Sequence, residues 1–185
     1  AAPGLQIFAP SQRDFVAERG LFPETPIADE APGIDMLYSS GTTGLPKGVV
    51  LSHRGMLSTV RVVAREWAFD QRCVFANPLP TFHVAGMAML ILTLYSGGRS
   101  CTFQEFDPPG FAATVRREGV THTFLVPTMI LYLLRVPGLA EDCRTLRLIA
   151  YGASPSGEQL LRDAMAVLSC GFLQVYGLTE VSGPV

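Results

Sequence analysis

The stretch from Ile34 to His53 reads "IDMLYSSGTTGLPKGVVLSH", and its centre is too small and too polar to fill a core. Between Tyr38 and Val50 it places three glycines, two serines and two threonines around Lys47, which is the only lysine of the chain. Glycines allow close backbone approach, and hydroxyl groups supply donors, so this composition suits a bound phosphate. From the residues alone, a solvated serine–glycine loop explains it equally well.

The residues around Lys47 exclude a Walker-type phosphate loop. That motif needs glycine directly before its lysine and serine or threonine directly after it, whereas here Pro46 precedes Lys47 and Gly48 follows it. Proline has no N–H to donate, and glycine has no hydroxyl group to offer a magnesium ion. If the loop binds phosphate, it belongs to another class of phosphate-binding loop.

Outward from this loop, short apolar strands alternate with helical segments. Strands of about five residues that alternate with helices of about 10–15 residues indicate βαβ units and a parallel sheet. We therefore predict an α/β fold over residues 34–185, in which a mostly parallel sheet is flanked by helices, preceded by an irregular, proline-rich connecting segment at 1–33. The predicted strands are 34–39, 49–52, 73–77, 99–104, 121–126, 145–152 and 172–176, and the predicted helices are 53–67, 83–96, 108–119, 127–136 and 154–168.

Four polar or glycine-bearing stretches directly follow predicted strands. Ligands of open α/β sheets bind beyond the carboxyl ends of the strands. If the sheet is parallel, these stretches converge on one edge and form the candidate site. They are Ser39–Gly48, Asn77–Gly86, Gly152–Ser156 and Tyr176–Glu180.

The composition excludes several classes of function. A net charge of −2 and scattered basic residues give no nucleic-acid footprint. The apolar run that starts at His83 is too short to span a bilayer, and we predict a helix buried on all sides there. The four cysteines lack metal-site spacing and favour reduced thiols of a cytoplasmic protein. The oligomeric state stays open, and a homo-oligomer is one option.

The glycine-rich stretch and three later segments together resemble the adenylate-forming superfamily, and within it the acyl-CoA synthetases. "YSSGTTGLPKGVVLSH" is similar to the superfamily's signature loop, and "PLPTFHVAG", "YGASPSGEQL" and "QVYGLTE" follow in the superfamily's order. One departure is Tyr151, which stands where glycine is common. The resemblance runs from about Ile34 to Val185 and implies part of the large N-terminal domain of a fatty-acid–CoA ligase.

The resemblance implies ATP, Mg²⁺ and coenzyme A as ligands, together with a carboxylic acid substrate. Thr179 would bond the α-phosphate, Glu180 and Ser39 would serve the metal ion, and His83 would lie beside the acyl group. From the residues alone, Thr179 could instead cap a helix, Glu180 could be a solvated carboxylate and His83 could be a structural cap. The residues implied for nucleotide binding are Ser39, Ser40, Gly41, Thr42, Thr43, Gly44, Lys47, Gly152, Ala153, Ser154, Tyr176, Gly177 and Thr179, and those implied for the acyl slot are Val84, Ala85, Gly86, Met87, Val126, Thr128 and 152–154.

Enzymes of this superfamily are much longer than 185 residues. The resemblance implies that the small C-terminal domain, with its lysine for the adenylation step, is absent, so we expect a fragment that lacks normal turnover alone. Two alternatives stay open within the superfamily, an aryl-CoA ligase and an acyl-AMP ligase that feeds a carrier protein. A third, of another class, is a non-catalytic nucleotide-binding module.

Overall fold

A computed structural model of the protein describes residues 34–39 and 45–184. The predicted connecting segment 1–33 lies outside these residues, as do Val185 and five residues of the glycine-rich loop, Ser40, Gly41, Thr42, Thr43 and Gly44. In chain order the elements are β1 (Ile34–Ser39), β2 (Lys47–Ser52), α1 (His53–Glu66), β3 (Val74–Asn77), α2 (Val84–Ser96), β4 (Arg99–Thr102), α3 (Pro108–Glu118), β5 (His122–Leu125), α4 (Pro127–Leu133), α5 (Leu139–Asp142), β6 (Leu148–Gly152), α6 (Glu158–Val167), β7 (Gly171–Val175), β8 (Gly177–Leu178), a 3₁₀ turn (Thr179–Val181) and β9 (Gly183–Pro184).

Five strands form one parallel sheet in the order β4-β3-β5-β6-β7. Strands β3 and β5 are buried along their whole length, because helices cover both of their faces. One apolar cluster contains α3, α4 and α6 residues, and the other contains α1 and α2 residues. The predicted α/β class, with a parallel sheet between helical layers, is confirmed.

The first two strands differ from this pattern. Strands β1 and β2 form a separate antiparallel hairpin, in which Ile34 pairs with Ser52 and Ser39 pairs with Lys47. The prediction placed the glycine-rich loop after a strand of the parallel sheet, and this part of it is wrong. A parallel crossover needs about a dozen residues or more, and the segment between β1 and β2 is shorter than that. The two strands can therefore pair only antiparallel.

Helix α2 is buried or half-buried at every residue from 84 to 93, and only its last turn is exposed, so the prediction of a helix buried on all sides is corrected for that turn. Ala88, Met89 and Leu92 are buried against the sheet, whereas Leu94 is 82% exposed and Tyr95 is 50% exposed. The last turn of the helix extends beyond its neighbours, and Gly97 then ends it with a left-handed φ of 71°. In the described part of the chain, no helix combines the length and apolarity needed to cross a bilayer.

Local sequence signals set most helix ends. The Ser52 hydroxyl accepts from the Gly55 N–H at 3.1 Å and caps α1. Pro108 opens α3, and Gly119 closes it at a φ of 65°. Helix α6 is an exception, because it starts at Glu158 and not at the predicted residue 154. Gly157 is its extended N-cap, so Pro155 lies before the helix and not in its first turn.

Two described histidines have contacts outside the candidate site. His122 is buried on β5, and its Nε2 lies 3.1 Å from the Trp67 carbonyl oxygen. Because a carbonyl can only accept, Nε2 carries the proton, and Nδ1 accepts from the Thr121 hydroxyl at 2.8 Å. His53 is exposed and lies 3.4 Å from the Asp35 carboxylate. These contacts give both histidines a structural explanation away from the candidate site.

Burial lowers the pKa of His122 below its usual value of 6.5. Below about pH 6.5 the unfolded chain then binds more protons than the folded chain, so we expect stability to fall as the pH drops through this range. Thermal unfolding at about pH 7.5 and about pH 5.5 measures the loss. In His122→Gln the histidine component of the loss should disappear, whereas the exposed control His53→Gln should keep it. An equal pH dependence in wild type and His122→Gln would contradict the expectation.

Candidate active site

A cavity of about 240 Å³ opens at the carboxyl edge of the parallel sheet. Several residues predicted for the site line it, namely His83, Val84, Ala85, Ala153, Gly177, Thr179 and Glu180. No individual role was predicted for the other lining residues, which are Met89, Phe124, Val175, Leu178, Gly183 and Pro184. Segments that are far apart in the sequence thus meet at this edge, as the parallel topology requires.

His83 stands at the start of α2 and caps it. Its Nδ1 accepts from the Ala85 N–H at 3.2 Å, so the cap alternative for this residue holds. The same contact leaves Nδ1 without a proton and places the proton of the neutral ring on Nε2. His83 also lines the cavity. The cap and a role beside a substrate are therefore compatible.

Asn77, at the end of β3, fixes the first turn of α2. Its side chain is 1% exposed, and its Nδ2 donates to the Gly86 carbonyl at 2.9 Å. Gly86 also lies directly under the turn that precedes the helix, because a Cβ added there would overlap the Pro80 carbonyl oxygen and lie 2.9 Å from that of Leu79. These contacts set the position of His83 relative to the sheet. A buried polar residue closing an apolar strand was the available sequence signal for Asn77.

Replacing Asn77 by alanine should lower the stability by about 1–3 kcal/mol, because the buried Gly86 carbonyl loses its donor. Chemical denaturation measures this change. Gln159→Ala is the matched control, since it removes an amide that donates to Asp163 at 2.8 Å on the exposed face of α6. If Asn77→Ala lowered the free energy of unfolding no more than Gln159→Ala does, the hydrogen bond from Asn77 to Gly86 would not stabilise the fold.

Close backbone approach explains the glycine at the end of β6. A Cβ on Gly152 would overlap the Val175 carbonyl oxygen of β7. The chain then turns sharply, and Ala153 takes a left-handed φ of 66°, which is uncommon for a residue with a side chain. This turn brings Ala153 to the cavity, whereas Gly152 is buried beneath it. Ser154 is exposed and lies outside the cavity lining.

The segment after β7 forms a small hairpin that carries the acidic residue. Strand β8 pairs antiparallel with β9, and the 3₁₀ turn between them holds Thr179 and Glu180. The N-cap of this turn is Leu178 and has no side-chain cap, so the capping alternative for Thr179 does not hold. Glu180 is exposed and forms no ion pair with the described residues. Tyr176, 67% exposed, precedes the hairpin.

Lys47 starts β2 opposite Ser39, and neither residue lines the cavity. Strand β2 nevertheless packs against the 3₁₀ turn that carries Glu180. Ser182, which follows that turn, has its Oγ 3.1 Å from where a Cβ of Gly55 would lie, at the start of α1. The lysine-bearing strand and the glutamate-bearing turn are therefore neighbours. Lys47 is exposed and has no carboxylate partner in the described part of the chain.

The possible metal ligands of this site fit an ion that is also bound by the phosphates of a substrate. Among residues 34–39 and 45–184, no three His, Cys, Asp or Glu side chains cluster as a metal site. Mg²⁺ commonly binds through one or two carboxylates, several waters and the phosphates of a substrate. A single exposed carboxylate at Glu180 beside a cationic strand suits Mg²⁺ that arrives with a nucleoside triphosphate.

Six predicted acyl-slot residues are absent from the cavity lining, namely Gly86, Met87, Val126, Thr128, Gly152 and Ser154. Gly86 and Gly152 instead contact backbone, so close packing explains both glycines. Met89 and Phe124 form apolar parts of the lining and are 2% and 5% exposed. No sequence signal pointed to them, since buried apolar residues look alike in a sequence.

Comparison with known proteins shows two related activities. A family described as AMP-binding enzyme matches residues 9–185. The chain is 37% identical over 165 residues to a fatty acid–[acyl-carrier-protein] ligase, ScoC, of Streptomyces coeruleorubidus, covering 85% of this chain and 30% of that protein. It is 35% identical over 176 residues to 4-coumarate–CoA ligase 5 of Oryza sativa subsp. japonica, covering 91% and 32%. The chain thus spans about a third of the length of these relatives.

Solved structures share the fold. The N-terminal domain of FACL13 from Mycobacterium tuberculosis, solved with an inhibitor bound, matches with a TM-score of 0.81 and 31% identity, over 92% of this chain and 44% of that one. ATP-bound MatB from Rhodopseudomonas palustris matches with a TM-score of 0.72 and 32% identity, over 78% and 29%.

Proposed function

This chain belongs to the family of AMP-binding enzymes, and from that premise we propose that its protein activates a carboxylic acid, a fatty acid in particular, with ATP. The product would be an acyl-adenylate, which then forms a thioester with coenzyme A. One observation carries the proposal: His83, Ala153, Thr179 and Glu180 line a single cavity, next to the strand that starts at Lys47. Because the chain spans part of its relatives, the activity is proposed for the full-length protein.

The first step joins two anions. A carboxylate oxygen of the acid attacks the α-phosphorus of ATP, the bond to the β-phosphate breaks, and pyrophosphate leaves. Lys47 would neutralise charge on the leaving phosphates, and Thr179 would donate to the α-phosphate. Glu180 would hold Mg²⁺, which supplies further positive charge to the phosphates when bound. Tyr176 offers an exposed aromatic face for the adenine ring.

The acid would lie against the apolar side of the cavity. Val84, Ala85, Met89 and Phe124 supply apolar surface there, and none of them carries a charge. Such a lining suits an alkyl chain or an aromatic ring and would exclude water from the reacting carboxyl group. The name of the Streptomyces relative favours the fatty acid over the ring. The Nε2 of His83 would face the acyl group that this lining positions.

A second acceptor is a candidate for the thioester step. The Streptomyces relative is named for an acyl-carrier-protein acceptor, and the rice relative for coenzyme A. Both would receive the acyl group through a thiol, whose sulfur attacks the carbonyl carbon while AMP leaves. Incubating the full-length protein, ATP and the acid with either coenzyme A or a holo carrier protein, followed by mass spectrometry of the thioester, distinguishes the two acceptors.

The proposal as a whole is tested by exchange of labelled pyrophosphate into ATP. The full-length protein is incubated with Mg-ATP and a set of fatty and aromatic acids, and the mass of the adenylate identifies the acid that reacts. We expect exchange that depends on both the acid and Mg²⁺. A folded full-length protein that binds ATP but gives no exchange with any acid would instead be a nucleotide-binding module, and the proposal would fail.

A further inference from the structure

A second, polar groove lies at the opposite ends of α1 and α2 from the candidate active site. It has a volume of about 700 Å³ and lies between the C-terminal half of α1, the loop after it and the last residues of α2. It shares no lining residue with the cavity at His83. The proposed adenylation chemistry therefore gives it no role.

Three arginines line this groove. Arg61 and Arg65 are four residues apart on α1, so their side chains lie on the same face of the helix. Both are exposed, and neither guanidinium pairs with a carboxylate among the residues that the structure describes. Two uncompensated positive charges thus face one groove.

The third arginine, Arg72, forms an ion pair with Asp70, which is the one carboxylate among the lining residues of the groove. Arg72 donates to Asp70 from Nη2 at 2.6 Å and from Nε at 3.1 Å. These hydrogen bonds hold the pKa of Asp70 at about 2, so the carboxylate stays ionised and its charge is balanced by Arg72. The pair closes one side of the groove and leaves the excess positive charge on Arg61 and Arg65.

The α2 side of the groove supplies a hydroxyl group and an aromatic ring. The Ser96 hydroxyl oxygen is buried and has no hydrogen-bond partner among the described residues. Tyr95 is half-exposed at the rim, and Phe69 forms a buried apolar part of the lining. Buried hydroxyl groups in folded proteins are nearly always hydrogen-bonded, so the unpaired Ser96 is a donor that a ligand could use.

We propose that this groove binds the phosphate group of a ligand through Arg61 and Arg65. Planar guanidinium groups form paired, charge-assisted hydrogen bonds with phosphate oxygens. Arg61 and Arg65 would hold the phosphate, Ser96 would add a hydroxyl donor and Tyr95 would contact the part of the ligand next to the phosphate. The same chemistry fits a soluble phosphate ester and the headgroup of an anionic phospholipid.

Arginine-specific labelling of the full-length protein tests the site directly. Phenylglyoxal modification is mapped by peptide mass spectrometry with inorganic phosphate, and with sodium chloride at equal ionic strength to subtract screening. We expect phosphate to slow modification of Arg61 and Arg65 by about threefold or more, since bound guanidinium groups are shielded. Arg54, on the same helix but outside the groove, is the internal control and should be unaffected. The labelling of each arginine is measured separately. Phosphate bound at the proposed adenylation site therefore does not affect the comparison of Arg61 and Arg65 with Arg54.

Two further experiments, on a double variant and on phospholipid vesicles, complete the test. The exposed double substitution R61Q/R65Q should weaken vesicle or phosphate binding by about tenfold or more, while R54Q should match wild type. Phosphatidylcholine vesicles with and without phosphatidylglycerol distinguish the ligand sources. Protection of Arg61 and Arg65 by phosphate alone supports a soluble ester, and protection by the anionic vesicles supports a headgroup. The proposal would be overturned if neither phosphate nor the anionic vesicles slowed the labelling of Arg61 and Arg65 more than that of Arg54.

Discussion

Replacing Glu180 by glutamine in the full-length protein should lower acid-dependent pyrophosphate exchange by on the order of 100-fold. The substitution keeps the size of the side chain and removes the one carboxylate of the cavity lining. With that charge gone, the metal ion would be held by phosphate and water alone, so higher Mg²⁺ concentrations should recover part of the rate. Steady-state exchange measured across a Mg²⁺ titration gives both results.

The matched control for this variant is Glu158→Gln on α6. Glu158 is also exposed, but it pairs with Arg162 on the surface and is not part of the cavity lining. Neither change should alter stability by more than about 0.5 kcal/mol. If Glu180→Gln kept the exchange rate and the Mg²⁺ dependence of the control, Glu180 would be the solvated carboxylate of the alternative interpretation.

Replacing Gly86 by alanine should destabilise the fold by about 1–3 kcal/mol and should also disturb the site. The added Cβ would overlap the Pro80 carbonyl, which is backbone and cannot rotate away. Relief requires the turn before α2 to lift, and His83 lies in that turn. Denaturant unfolding measures the first effect, and exchange kinetics in the full-length protein measures the second.

Gly157→Ala is the control for the glycine experiment. Gly157 has no atom within 4 Å of an added Cβ, and its φ of −70° suits any residue. Its substitution should change stability by less than about 1 kcal/mol. A Gly86→Ala protein as stable and as active as Gly157→Ala would mean that the turn before α2 adjusts freely, and that the close contact does not fix His83.

Much of the fold could be predicted because its signals are local. The helical periodicity of α1 and the proline and glycine at the ends of α3 are properties of neighbouring residues. The antiparallel pairing of β1 with β2 was missed, since a strand pattern does not name its partner. Strands β8 and β9 contain two residues each and exist only through their pairing, so no sequence period could indicate them.

The candidate site could be predicted where residues carry distinctive chemistry. His83, Thr179 and Glu180 stand out as polar residues just after apolar strands, and the parallel topology brings them to one cavity. Met89 and Phe124 were missed because nothing in their type separates a cavity wall from a core. The exposed end of α2 was missed for a related reason, since hydrophobicity alone does not tell where a helix extends past its neighbours.

The single lysine of this chain allows selective chemical labelling at one position. Lys47 is exposed, and within these 185 residues an acylating reagent meets no other ε-amino group. A reporter dye attached there would sit at the mouth of the glycine-rich loop, next to the strand pair that frames it. Slower acylation of that amine when a triphosphate is added would report on nucleotide binding without any turnover.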